Sequence, residues 1–121
     1  MIAIGFRAEP SSLNWAIVEG TQHAPRLRAA DILKAPVSFS EAASLAWFRT
    51  QVINLYEKFS PTGVAVRYPE TIMGRSNQLS GNKRCRVEGV VLEVAQSRGV
   101  EVATGALNTV SKNLGTKGAK R

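Results

Sequence analysis

The chain has 121 residues, 44% of them hydrophobic, and a net charge of +7 from sixteen Lys and Arg against nine Asp and Glu. This size fits one compact domain, and a single cysteine and a single histidine exclude an internal disulfide and a metal site built on several such residues. No apolar run reaches the length of a membrane span and the first residues lack the order of a signal peptide, so we expect a cytoplasmic protein.

The positive charge is concentrated in the second half of the chain. Residues 1–66 carry six basic and five acidic side chains, a net charge of +1, whereas residues 67–121 carry ten and four, a net charge of +6. A basic half is typical of proteins that bind the phosphate backbone of nucleic acids. Solvated surface charges give the same count, so charge alone leaves both interpretations open.

The first third of the chain predicts an antiparallel meander of three strands. Apolar, β-prone runs occupy 1–6, 13–18 and 25–35, and the connectors between them contain Gly, Pro and Ser. We expect the first run, the most apolar, to be central in the sheet. In the third strand the expected inward-facing residues are Leu27, Ala29 and Ile32.

Helical spacing follows the third strand. Apolar residues recur every three or four positions over 42–59, and Ser38 and Glu41 are spaced as a capping box at the start of this helix. Within the series, Trp47 and Phe48 are expected to pack in the core or an interface rather than to stack on bases.

The sequence Gly-Val-Ala-Val at 63–66 predicts a short buried strand that brings Arg67 to its carboxyl end. In open α/β sheets this end is where ligands usually bind. A polar stretch over 69–82 follows the strand.

A second helix is predicted from about 83 to 98, with Cys85 as a buried structural thiol on its apolar side. Gly99 is a suitable left-handed cap for this helix. Residues 100–105 predict a fifth strand, so the element order is three strands, a helix, a strand, a helix and a strand. A basic, flexible tail is expected over 111–121.

This order resembles the ribonuclease H-like fold and, within it, the RuvC-type Holliday junction resolvases. The residues that carry the resemblance are "IAIGFR", "NWAIVEG", "FSPTGVAVRYPE" and "EVAQSRGVEVATGALNTVSKNLGTKGAK". The resemblance implies a single α/β domain over residues 1–121. Its five-stranded mixed sheet has an antiparallel meander, two parallel strands and helices packed on it.

In that family four carboxylates hold two divalent metal ions, which activate water and stabilise the leaving oxygen. The first two positions match Gly5 and Arg67, and the helix that carries the other two has no counterpart before Arg121. A cation at such a position repels Mg²⁺. The resemblance therefore implies a degenerate site with no catalytic residue, metal or cofactor. Mg²⁺ or Mn²⁺ is required only if the chain is a truncated nuclease, for which Glu9 and Glu70 are the nearby acids.

We expect the basic half to bind nucleic acid, DNA in preference to RNA. In the family, the loop after the fourth strand touches nucleic acid. Basic residues at the start of a helix oppose its dipole, which favours an anionic partner. The predicted nucleic-acid-binding residues are Arg67, Arg75, Asn77, Lys83, Arg84, Arg86, Lys112, Lys117 and Lys120.

Two alternatives remain open from the sequence alone. One is a structural or protein-interaction module that forms a homodimer through its helices, with Trp47 or Val90 in the interface. The other is the metal-dependent nuclease. The loss of acidic residues together with the gain of positive charge favours nucleic-acid binding without catalysis.

Overall fold

The chain forms a five-stranded sheet and two helices in the computed structural model, which describes residues 1–21, 24–67 and 78–105. No helix in these ranges is long and apolar enough to cross a membrane. In chain order the elements are β1 (Ile2–Ala8), β2 (Ser12–Gly20), β3 (Pro25–Lys34), α1 (Glu41–Phe59), β4 (Gly63–Arg67), α2 (Gln78–Ser97) and β5 (Glu101–Gly105).

The sheet has the strand order β3-β2-β1-β4-β5, so β1 is its central strand. β2 pairs antiparallel with β1 and with β3, whereas β4 pairs parallel with β1 and with β5. Parallel neighbours need long crossover connections, which here contain α1 and α2. The predicted mixed sheet, its meander and the central first strand are confirmed.

The core lies between one face of this sheet and the two helices. Phe48 of α1 and Val91 of α2 are fully buried in the same cluster as Ile4 of β1 and Val64 of β4. Because successive side chains of a strand point to opposite faces, the residues between these positions lie on the other face. Both helices pack on the core side, so no helix of the described ranges covers that second face, which we call the open face.

The start of α1 differs from the predicted capping box. Ser40, not Ser38, is the N-cap, and its hydroxyl accepts a hydrogen bond from the backbone N–H of Ala43 at 3.1 Å. A turn closed by the Phe39 N–H and the Pro36 carbonyl, 3.1 Å apart, precedes this cap and delays the helix. The predicted box was therefore wrong.

α2 begins at Gln78, five residues earlier than predicted. Lys83 and the basic residues after it consequently lie beyond the first turn, where the helix dipole has little effect, so the argument from opposed charges was wrong. Cys85 is exposed, which corrects its prediction as a buried thiol. The cap is confirmed, since Gly99 has the left-handed φ of 67°.

Only Ala29 of the three predicted inward residues of β3 packs against the core. Leu27 is 69% exposed and Ile32 is 48% exposed. The pairing of β2 with β3 shifts between Ile17, opposite Ala29, and Val18, opposite Leu27. This irregularity adds one residue on β3 and turns Leu27 to the open face.

Candidate nucleic-acid interface

Two arginines lie side by side at the carboxyl end of the central strands. Arg7 of β1 and Arg67 of β4 are partners in the parallel register, two residues after the pair formed by Gly5 and Ala65. All four alternate with core residues and so belong to the open face. Gly5 and Arg67 therefore share a face, about 7 Å apart along the strands at the usual rise per residue.

The arginines border a shallow depression of about 280 Å³ in the open face. Its lining includes Gly5, Ala16 and Ala65, whose small side chains leave a flat floor. No described atom lies within 4 Å of the position that a Cβ on Gly5 would take, so the space above this residue is open. A ligand can approach the strand backbone there. We call the depression and its two arginines the arginine site.

Glu9 anchors Arg7 at the edge of this site. One Glu9 carboxylate oxygen accepts hydrogen bonds from the Ser12 hydroxyl at 2.7 Å and from the Asn14 amide at 3.5 Å, and the other accepts one from Arg7 at 3.3 Å. The hydrogen bond from Ser12 is the main cause that lowers the pKa of Glu9, and Asn14 and Arg7 add to it. Glu9 is thus ionised and already engaged.

Arg67 is half-buried, and its Nε atom is buried without a hydrogen-bond partner. No ion pair joins Arg67 to a residue in the described ranges. A buried N–H without a partner costs about 1–3 kcal/mol, so Arg67 is held in this position at a cost. Arg67 is the member of the pair whose hydrogen-bonding capacity is least used.

The three predicted basic residues of α2 have different environments. Arg86 donates a hydrogen bond to Glu41 of α1 at 2.7 Å, and Arg84 lies 4.0 Å from Glu88 on its own helix. Lys83 is exposed and, within the described part of the chain, has no ionic partner. Its charge is therefore more available to a ligand than that of Arg86.

The remaining predicted site residues lie outside the described ranges. These are Arg75, Asn77, Lys112, Lys117 and Lys120, together with Glu70 and the tail at 111–121.

Solved structures similar to this fold include two bacterial RuvC structures and a yeast resolvase. RuvC of Thermus thermophilus in complex with a Holliday junction substrate matches with a TM-score of 0.75 and 22% identity over 93% of this chain and 68% of that one. A second RuvC structure from T. thermophilus gives 0.71 and 26% over 87% and 64%. The yeast mitochondrial Holliday junction resolvase Ydc2 gives 0.62 and 11% over 95% and 59%.

The chain has a RuvC-like, ribonuclease H-like fold. This confirms the fold class that the sequence resemblance implied. The chain spans about two thirds of the length of the T. thermophilus resolvases. No protein-family model matches the sequence, and no curated protein is a detectable match to it.

The donor set at the arginine site does not fit the divalent metals that the resemblance associates with the RuvC-like fold. Hard divalent cations take oxygen ligands, mainly carboxylates. Among the described residues the site instead holds two guanidinium groups, and the carboxylate at its edge, Glu9, is engaged by Ser12, Asn14 and Arg7. No group of three His, Cys, Asp or Glu that can hold a metal occurs in the described ranges.

Arg7 is the site residue that sequence reasoning missed. The signal was present, because Ile4 and Phe6 are core residues of a strand and alternation then places Gly5 and Arg7 on the opposite face. The position of Arg7 beside Arg67 depends on the register of β1 against β4. The pattern of apolar residues within each strand does not specify this register.

Proposed function

We propose that this RuvC-like domain binds nucleic acid without cleaving it, and that Arg7 and Arg67 contact the phosphate backbone. The observation that carries the proposal is the register pair of Arg7 and Arg67 on an open, flat face. The T. thermophilus RuvC that this fold resembles was solved with a Holliday junction, which makes branched DNA the first ligand to test.

The electrostatics of the pair favour a phosphate ligand. Two guanidinium groups on neighbouring strands repel each other, and Glu9 offsets only one of the two charges. A phosphate placed between them would accept hydrogen bonds from both, and guanidinium groups match the geometry of phosphate oxygens.

The proposal extends to the other cations of the second half of the chain. Lys83 is exposed without an ionic partner in the described part of the chain and is the favoured contact on α2. Arg84 and Arg86 would first have to loosen their interactions with Glu88 and Glu41. The further proposed contacts are Arg75, Asn77, Lys112, Lys117 and Lys120.

We propose the absence of cleavage because arginine side chains stand where a metal-dependent nuclease needs carboxylates. A two-metal mechanism needs carboxylates that face the scissile phosphate. Positive side chains at this position attract the phosphate directly and repel the metal ions. Binding and catalysis are therefore separable for this chain, and each has its own measurement.

Fluorescence anisotropy tests the binding. A labelled four-way junction, a linear duplex and an RNA hairpin are titrated at about 50 and about 200 mM salt with the unmodified protein and with Arg67→Gln. We expect salt-dependent binding, tightest for branched DNA, that weakens about tenfold or more in Arg67→Gln, since a charge-assisted hydrogen bond contributes about 1.5–3 kcal/mol.

Arg49→Gln is the matched control for this substitution. Arg49 lies on α1 in an exposed ion pair with Glu93, and its replacement changes the net charge by the same amount. If both variants bind as the unmodified protein does, the arginine site is not the contact. If no ligand binds at the lower salt concentration, the proposed function is wrong.

A further inference from the structure

A second cleft, separate from the arginine site, lies at the end of the sheet where β1 finishes and the turn to β2 begins. It has a volume of about 280 Å³ and is formed by the β1–β2 turn, the connector from β3 to α1, and the facing sides of α1 and α2. We call it the connector cleft. Its lining is mainly apolar, and includes Pro10, Pro36, Val37, Phe39, Leu45 and Val87.

The connector holds two apolar side chains at the surface. Val37 is completely exposed at the tip of the turn that the Phe39 N–H and the Pro36 carbonyl close, and Phe39 is 41% exposed beside the cleft. Large apolar side chains held in the open by a defined turn do not contribute to the core. An accessible aromatic ring next to an apolar cleft is suited to a flat, apolar ligand surface.

The charges around the connector cleft favour an anionic ligand. Of the described residues, two with ionisable side chains line it, Glu41 and Lys83. Glu41 accepts a hydrogen bond from Arg86 at 2.7 Å, so its charge is compensated. Lys83 has no such partner in the described part of the chain, and the cleft therefore presents one free positive charge beside an aromatic ring.

The connector cleft lies at the same end of the sheet as the arginine site, but on the side that the helices cover. Pro10 lines the cleft three residues after Arg7, which is about 10 Å of extended chain. Glu9, between them, fixes the turn through its backbone N–H, which donates to the Ser12 carbonyl at 2.9 Å. A nucleic-acid strand bound by the arginines would pass around this turn to reach the cleft.

We propose that the connector cleft receives one unpaired nucleobase, stacked on Phe39, with Lys83 contacting a neighbouring phosphate. The inference rests on the proposed nucleic-acid function and adds that the protein recognises an unpaired base as well as the phosphate backbone. A base fits better than a peptide helix because the volume is at the low end for ligand pockets, about 300–1,000 Å³. Stacking does not require a particular sequence, since every base has a π-face.

Two oligonucleotides separate base recognition from phosphate binding. One is a labelled thymidine strand of about 12 nucleotides, within the usual site size for single strands, and the other is an abasic strand of the same length and charge. We expect the unmodified protein to bind the first about 5- to 150-fold more tightly, the range that one stacked base supplies. Phe39→Ala should abolish this preference and leave the affinity for the abasic strand unchanged.

Two further variants control for folding and for loss of apolar surface. Phe39→Tyr keeps the ring and should retain the preference, whereas Leu27→Ala removes an exposed apolar side chain from the open face and should also retain it. Circular dichroism melts of all variants would show that each is folded before its affinity is compared.

The possible results distinguish this inference from the proposed function. Equal, salt-dependent binding of both strands by the unmodified protein would overturn the base site and leave the phosphate contacts standing. A preference that survives Phe39→Ala would place the base elsewhere and also overturn the inference. If neither strand binds, the inference is wrong, and the titration of the four-way junction decides separately whether the proposed function stands.

Discussion

Replacement of Gly5 by valine should block the arginine site without harming the fold. Gly5 lies in the central strand between Ala16 and Ala65, and its φ is not among the positive values of the chain. A Cβ at this position meets no described atom within 4 Å. The valine side chain would therefore fill open space above the floor that a phosphate needs to reach both arginines.

The position of Gly5 determines how much Gly5→Val should change the stability of the protein and its affinity for nucleic acid. Glycine inside a strand costs about 0.5–1 kcal/mol relative to alanine, and valine has a high strand propensity, so the free energy of unfolding should rise by about this amount. Binding should fall about tenfold or more, because at least one charge-assisted contact, about 1.5–3 kcal/mol, is lost. A more stable protein that binds less tightly is the expected signature.

Urea unfolding followed by tryptophan fluorescence measures the stability, and anisotropy with the four-way junction measures the affinity. Gly89→Ala on α2 is the matched control, because a Cβ there also meets open space and alanine favours a helix. This control should gain stability with unchanged binding. If Gly5→Val is destabilised by more than about 1 kcal/mol, the space above the floor is not open. If its affinity is unchanged, phosphate does not approach the sheet there.

Three other outcomes are expected. Glu88 is 7% exposed and burial raises its pKa, so its ionisation opposes folding as pH rises. Glu88→Gln should therefore raise the free energy of unfolding by about 1 kcal/mol at neutral pH, and this gain should disappear in acid. A lower free energy of unfolding at neutral pH would contradict this expectation. Added Mg²⁺ or Mn²⁺ should give no cleavage of junction DNA, and cleavage that Glu9→Gln abolishes would show that Glu9 holds a metal. Light scattering should report a homodimer if Trp47 and Val90, both only partly buried, form an interface, and a monomer would refute it.

The element order could be predicted from the sequence because the two periodicities differ. Strands with alternating apolar residues bury Ile4 and Phe6, and helical spacing buries Phe48 and Val52. The start of α1 could not be predicted in the same way. Ser38 and Ser40 are equally good caps by type, and the choice between them depends on the turn before the helix, which spacing alone does not predict.

The candidate site was only partly predictable. The strand pattern placed Arg67 at the end of β4, but its neighbour Arg7 follows from the register of two strands about 60 residues apart in the chain. The pairing of Arg86 with Glu41 likewise joins two helices. A count of charges in the sequence includes arginines whose charge is compensated by an acidic partner. Arg86 is such a residue, whereas Lys83 has no ionic partner in the described part of the chain.

The salt dependence of binding measures directly whether Arg7 and Arg67 contact phosphate groups. Each phosphate contact contributes about −0.9 to the slope of log K against log salt concentration for duplex DNA, so the double variant Arg7→Gln and Arg67→Gln should flatten the slope by about 1.8. The matched double variant Arg49→Gln and Arg98→Gln removes the same charge from two ion pairs between the helices. We expect a flatter slope for the first double variant only; equal slopes in the two variants would show that Arg7 and Arg67 do not contact phosphate.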